Sequence, residues 1–116
     1  MTPEGKVKAA VRKVMRAIPG IYTFPVNASG FGRHGIPDDF FCAGGVPAFV
    51  EYKARMRWDK NHVSALKTLP TPSQLIEMRN AREAGMRTYV IDAENMNEFI
   101  SALTSGVAYA HEWTLD

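Results

Sequence analysis

One cysteine, Cys42, in a chain of 116 residues leaves no internal disulfide framework and no cysteine-based zinc centre. Cys42 is read as a packing residue, and a reducing compartment is the natural setting. No run approaches the roughly 20 apolar positions of a membrane-spanning helix. Met1-Thr2-Pro3-Glu4 leads into charged rather than apolar sequence, so the expectation is a soluble, intracellular chain without a secretory leader. Histidine is scarce as well: His34, His62 and His111 fall at no metal-ligand spacing. Ser29, Ser64, Ser73, Ser101 and Ser105 lack the context of a nucleophile elbow, so a zinc enzyme and a serine hydrolase both lack support.

What is present is charge, unevenly spread. The formal total is only +2, yet residues 1–35 carry +5 and residues 51–79 carry +3, against −2 over residues 36–50 and −4 over residues 80–116. Such a division favours a polyanion at one end of the molecule only. The length fits one domain spanning residues 1–116.

Local patterns divide the chain cleanly. Thr2 caps and Pro3 starts a helix that runs to about Ile18. Val7, Val11, Val14 and Ile18 make its apolar stripe, Glu4 lies on the same stripe, and Pro19-Gly20 ends it. A carboxylate on that face requires a partner: a lysine, a backbone N–H or a metal ion. Residues Ile21 to Val26 read as a strand near a sheet edge, because Pro25 cannot donate to a ladder. Residues Asn27 to Gly35 form a glycine-rich loop that also carries Arg33 and His34, a composition suited to close approach to a phosphate. Asp38 to Cys42 and Pro47 to Lys53 form a hairpin about a tight turn at Ala43-Gly44-Gly45.

From Ala54 to Pro70 periodicity is lost, and Arg55, Arg57 and Lys60 alternate with Trp58 as a basic surface. Thr71-Pro72-Ser73-Gln74 opens a second helix that Gly85 closes, and Arg87 to Ile91 is a fourth strand. Asp92 is expected to cap a third helix with Met96, Phe99, Ile100 and Leu103 on its apolar face. The tail from Thr104 to Asp116 shows no resolving pattern. Its Val107, Tyr109, Trp113 and Leu115 suit either an interface or packing on the chain's own core. The order of elements predicts an α/β layer fold with helices covering a mixed sheet.

Chemistry concentrates on the hairpin. Glu51 and Lys53 are two apart on a strand and share a face, while Val50 and Tyr52 point the other way. The hairpin brings Asp38 close to Glu51. Two carboxylates beside a lysine suit a hard divalent cation, which takes oxygen ligands, neutralises phosphate charge and makes bound water a better nucleophile.

The run Gly35-Ile36-Pro37-Asp38, then Phe49-Val50-Glu51-Tyr52-Lys53, then Leu69-Pro70-Thr71-Pro72-Ser73-Gln74 resembles the VRR-NUC family of the PD-(D/E)xK nuclease superfamily, its stand-alone viral and bacterial members above all. The likeness extends from Glu4 to the fourth strand. It implies a restriction-endonuclease-like core of order αβββαβ plus a C-terminal helix, Mg²⁺ or Mn²⁺ held by Glu4, Asp38 and Glu51, and Lys53 assisting the attacking water. Gln74 matches the glutamine that opens the family's next helix, although Thr71-x-x-Gln74 is equally a capping box. Arg33, His34, Arg55, Arg57, Trp58 and Lys60 are expected to contact DNA. The resemblance further implies cytoplasmic work on DNA, in a bacterial or phage-infected cell. The functional expectation is a structure-selective endonuclease that resolves four-way (Holliday) junctions as a homodimer. The alternatives are a nuclease that nicks flaps or duplex, and a non-catalytic DNA-binding module on a degenerate nuclease fold.

Overall fold

The computed structural model describes residues 2–26, 35–54 and 71–112. Helix α1 (Pro3–Ala17) starts as its sequence dictates: the Thr2 hydroxyl accepts from the Gly5 N–H at 3.0 Å, with proline in the first turn. Its buried stripe is Val7, Val11 and Met15, spaced by four, so Met15 takes the core position expected of Val14 and Ile18, which are only half-buried. Strands β1 (Ile21–Pro25), β2 (Asp39–Ala43) and β3 (Val46–Tyr52) follow, each within a residue or so of expectation. Gly44 and Gly45 take φ of 60° and 79°, the paired left-handed residues that a two-residue hairpin with native twist requires.

Helix α2 (Pro72–Glu83), strand β4 (Arg87–Ile91) and helix α3 (Met96–Ser105) complete the order. The sheet runs β1-β2-β3-β4, antiparallel except for the parallel β3–β4 pair, so it is mixed, and β1 with its Pro25 is indeed an edge. Helices flank it, and the chain is an α/β fold. Among the described residues, no helix is long and apolar enough to cross a membrane.

Alternation along the strands sorts the two faces. Phe41, Ala48, Val50, Tyr52, Tyr89 and Ile91 point toward α1 and α3 and join Val7, Val11, Met15, Phe99 and Leu103 in the main core. The opposite face is covered by α2 near β4, where Met78 and Ala81 are buried.

Helix α3 begins at Met96, with Asn95 at the N-cap position but making no side-chain cap bond; the capping expected of Asp92 is made one turn earlier, its carboxylate accepting from the Glu94 and Asn95 N–H groups while Asn95 Oδ1 accepts from the Asp92 N–H and the Asp92 carbonyl accepts from the Met96 N–H. Of the two roles open to the tail, one is decided. Tyr109 is buried against Tyr89 and Phe99 within the chain's own core and donates its hydroxyl proton to Glu98, so it is not a free interface anchor. Trp113 and Leu115 lie outside the described residues.

Candidate metal centre

The hairpin register places Asp39 opposite Val50. One step further along the same pairing sets Asp38 opposite Glu51, both on the face away from the main core. Although Asp38 precedes β2 and Lys53 follows β3, backbone bonds hold both in place. Val26 N–H donates to the Asp38 carbonyl at 3.0 Å, Tyr52 N–H donates to Asp38 Oδ2 at 2.8 Å, and Lys53 N–H donates to the Ile91 carbonyl at 2.9 Å. The first turns of α1 close the third side. Lys8 Nζ lies 3.5 Å from Asp38 Oδ1, and Glu4, one helical turn earlier, brings a carboxylate oxygen into a group in which one oxygen each of Glu4, Asp38 and Glu51 lie within 4.8 Å of one another.

Glu51 is the strained member. It is only 4% exposed. Its Oε1 accepts from Gln74 Nε2 at 2.9 Å and faces Lys53 Nζ at 3.9 Å, whereas Oε2 is buried and, among the described residues, accepts nothing. Burial first, then the Asp38 carboxylate, push the Glu51 carboxyl up to about 8; Lys53 opposes the rise and Glu4 adds to it. Three converging carboxylates with two amines, Lys8 and Lys53, against them leave an excess of negative charge in a partly desolvated place when all three are ionised.

A single hard cation fits this donor set. Oxygens on opposite sides of one Mg²⁺ stand about 4 Å apart, near the separations found here, and such ions bind through a few carboxylates while keeping several waters. Glu51 Oε2, buried with no hydrogen-bond partner among the described residues, is a further oxygen open to such an ion. The Glu4, Asp38 and Glu51 carboxylates are thus brought together as expected, with Lys53, 13% exposed, beside them.

Gln74 forms the expected capping box and also reaches the Glu51 carboxylate. The Thr71 side chain accepts from the Gln74 N–H and Gln74 Oε1 accepts from the Thr71 N–H at 2.8 Å, a complete capping box, while the amide's other end, Nε2, holds Glu51. The first turn of α2 therefore orients a centre carboxylate. Gly35 packs on that turn. A Cβ there would overlap the Ser73 carbonyl group and the Gln74 nitrogen, and its φ of +84° also excludes ordinary side chains. Gly35, expected to face a phosphate, instead lets the chain leading to Asp38 lie against α2.

Sequence reasoning missed Asp39. It is 1% exposed and faces the main core, where Arg12 Nε and Nη2 bond its carboxylate at 2.7–3.2 Å and the Tyr52 hydroxyl donates to Oδ2 at 2.7 Å. The hydrogen bonds to Asp39 hold the Arg12 guanidinium above its ordinary pKa, and burial followed by Asp39's charge does the same for the Tyr52 phenol. The signal was available: alternation that points Asp38 to one face must send Asp39 to the other, and an interior carboxylate requires a cation. This pin ties α1 to the start of β2 and the end of β3, so it sets the distances among Glu4, Asp38 and Glu51.

The residues expected to contact DNA, Arg33, His34, Arg55, Arg57, Trp58 and Lys60, lie outside the described residues. No family model, curated protein or solved structure matches this chain.

Proposed function

We propose that the chain is a metal-dependent DNA endonuclease with a VRR-NUC-like, restriction-endonuclease-like core, hydrolysing phosphodiester bonds at the Glu4, Asp38 and Glu51 centre. The observation that carries this reading is the buried, unpartnered Glu51 Oε2 within a three-carboxylate cluster beside Lys53. A DNA-binding surface without catalysis has no use for such a cluster, because uncompensated carboxylates repel a phosphate.

A bound Mg²⁺ or Mn²⁺ supplies phosphate charge neutralisation and a more acidic water. Glu4, Asp38 and Glu51 hold that ion. Lys53 supplies a proton donor beside Glu51, able to bond a phosphate oxygen and stabilise charge as it grows in the transition state. Gln74 fixes Glu51 so that its free oxygen stays turned into the cluster. In this reading two copies related by a two-fold axis act on opposing strands of a four-way junction, whose pseudo-symmetry matches such a pair.

The test is incubation of the protein with duplex, flap and four-way junction DNA in Mg²⁺, Mn²⁺ or EDTA, alongside Asp38→Ala, Glu51→Ala and Lys53→Met. Cleavage is expected only with metal and only for the wild type, with DNA binding retained by all three variants. Wild-type rates in two of the variants would remove the assignment. A protein that sediments as a monomer and nicks flaps or duplex in preference to junctions would remove only the junction reading.

A further inference from the structure

The sheet face that carries Asp38 and Glu51 continues into an aromatic row. Phe24 pairs with Phe40, and Phe40 with Phe49, in register across β1, β2 and β3. Each of these residues on β2 and β3 stands two positions from Asp38 or Glu51, so the row is the next one along the strands, about 7 Å from the carboxylates. Ring centroids are 4.9 Å apart for Phe24–Phe40 and 6.2 Å for Phe40–Phe49, and Tyr22 extends the series at 5.7 Å from Phe24. At the β1 edge these rings face solvent: Tyr22 is 67% and Phe24 42% exposed. Contiguous apolar surface of this kind marks an interaction site.

The shape of the strip decides among occupants. Apart from Tyr22, which stands on the neighbouring row of β1, it is a single cross-strand row that runs inward from the sheet edge and ends at Phe49, two positions from Glu51. A second protein copy seated on it would also cover the carboxylates one row away and close the centre. A single nucleotide chain would not: its phosphate can lie at the cation while neighbouring bases stack on the rings, and every base offers a π face, so the contact needs no sequence. Paired bases in intact duplex do not present those faces.

We propose that Tyr22 and Phe24, backed by the half-buried Phe40 and Phe49, stack unpaired bases of the DNA strand whose phosphodiester lies at the Glu4, Asp38 and Glu51 centre, so that the substrate class is DNA with unpaired bases next to the cut, which a four-way junction supplies where its branch point opens. The proposal rests on the nuclease reading, and its test is a binding measurement that needs no cleavage. Fluorescein-labelled oligothymidine and a blunt duplex of equal length are titrated in Ca²⁺, a hard cation that offsets the charge of the carboxylates, with wild type, Tyr22→Ala/Phe24→Ala and Phe24→Trp. Both alanine positions are exposed, so the fold is kept, which circular dichroism verifies. The double variant is expected to bind oligothymidine at least tenfold more weakly, the loss of roughly one stacked base, with duplex affinity changed less than twofold. Phe24→Trp retains affinity, and its fluorescence is quenched on binding. Equal losses on both DNAs, or no loss on either, would overturn the proposal. So would a wild-type dimer that the double variant converts to monomer, since a second copy would then occupy the row. Stacking that persists in a protein that cleaves no DNA with either metal would remove the nuclease reading and leave the base-binding row standing.

Discussion

Asp38 and Asp39 are neighbours in sequence and opposites in circumstance. Asp39 points into the main core and is fully answered there by Arg12 and Tyr52. Asp38 points to the other face, where it joins Glu51 and Glu4 with Lys8 and Lys53 as the nearby cations. One face has closed its electrostatics within the chain, and the other has left an excess of carboxylate. A charge answered internally serves the fold. A buried carboxylate oxygen left without a partner is where an external cation is to be expected.

The sharpest way to break this contrast is to remove each carboxylate and compare signs. Asp39→Ala strands the Arg12 guanidinium and the buried Tyr52 hydroxyl and is expected to destabilise by about 3–5 kcal/mol, read by urea denaturation in EDTA. Glu51→Gln under the same conditions is expected to be neutral or stabilising, because it removes repulsion. Equal destabilisation by the two would show that the faces do not differ as described.

A second test sharpens the link between the two sides of the centre. Gly35→Ala forces a side chain into the Ser73 carbonyl from a left-handed backbone and should cost about 2 kcal/mol or more. It should also lower metal affinity by displacing Gln74 and the approach to Asp38. Isothermal titration with Mn²⁺ checks this, and unchanged affinity would confine Gly35 to a purely local role.

Acidity provides a third. The Glu51 carboxyl is held above its ordinary value in the folded protein, so in the window from that value up to about 8 the folded state binds more protons than the unfolded state. Stability in EDTA should therefore be highest at the acidic side of that window and fall as the pH rises through it. Mg²⁺ or Mn²⁺, by favouring the ionised form, should flatten the fall, and Glu51→Gln should abolish it. Thermal melts at several pH values, with and without metal, decide the matter.

The smallest expected effect is on Gln74. Gln74→Ala loses one half of the capping box and the bond to Glu51, about 1 kcal/mol of stability, while cleavage falls more than stability does. Gln74→Glu keeps the cap but places a fourth carboxylate at the centre. It should weaken activity further if the Nε2 donor is what matters, and match wild type if only the cap is.

Much of this was legible beforehand. Thr2-Pro3 and Thr71-Pro72 announced helix starts, Gly44-Gly45 the hairpin, and the two-residue spacing of Glu51 and Lys53 a shared face, because caps, turns and alternation are local properties of backbone geometry. Met15 in place of Val14 was not, since which residue of a helical stripe meets the core depends on how the helix is rotated against the sheet. The start of α3 at Met96 rather than directly after Asp92 has a similar origin: Asp92 caps the turn that precedes the helix, and the Asn95 amide, which donates to the Val90 carbonyl, ties that turn to the end of β4.

By itself, then, the sequence determined the element order, the hairpin and the placing of Asp38, Glu51 and Lys53 at one end of it, all of which follow from short-range sterics and periodicity. Only the tertiary structure decided that Glu4 reaches the same point from α1, that Gln74 serves cap and carboxylate together, and that Asp39 anchors the main core. These depend on contacts between residues 13 to 47 positions apart in the chain, which no local rule specifies and which the sheet register and the packing of α1 and α2 against opposite faces of the sheet bring about.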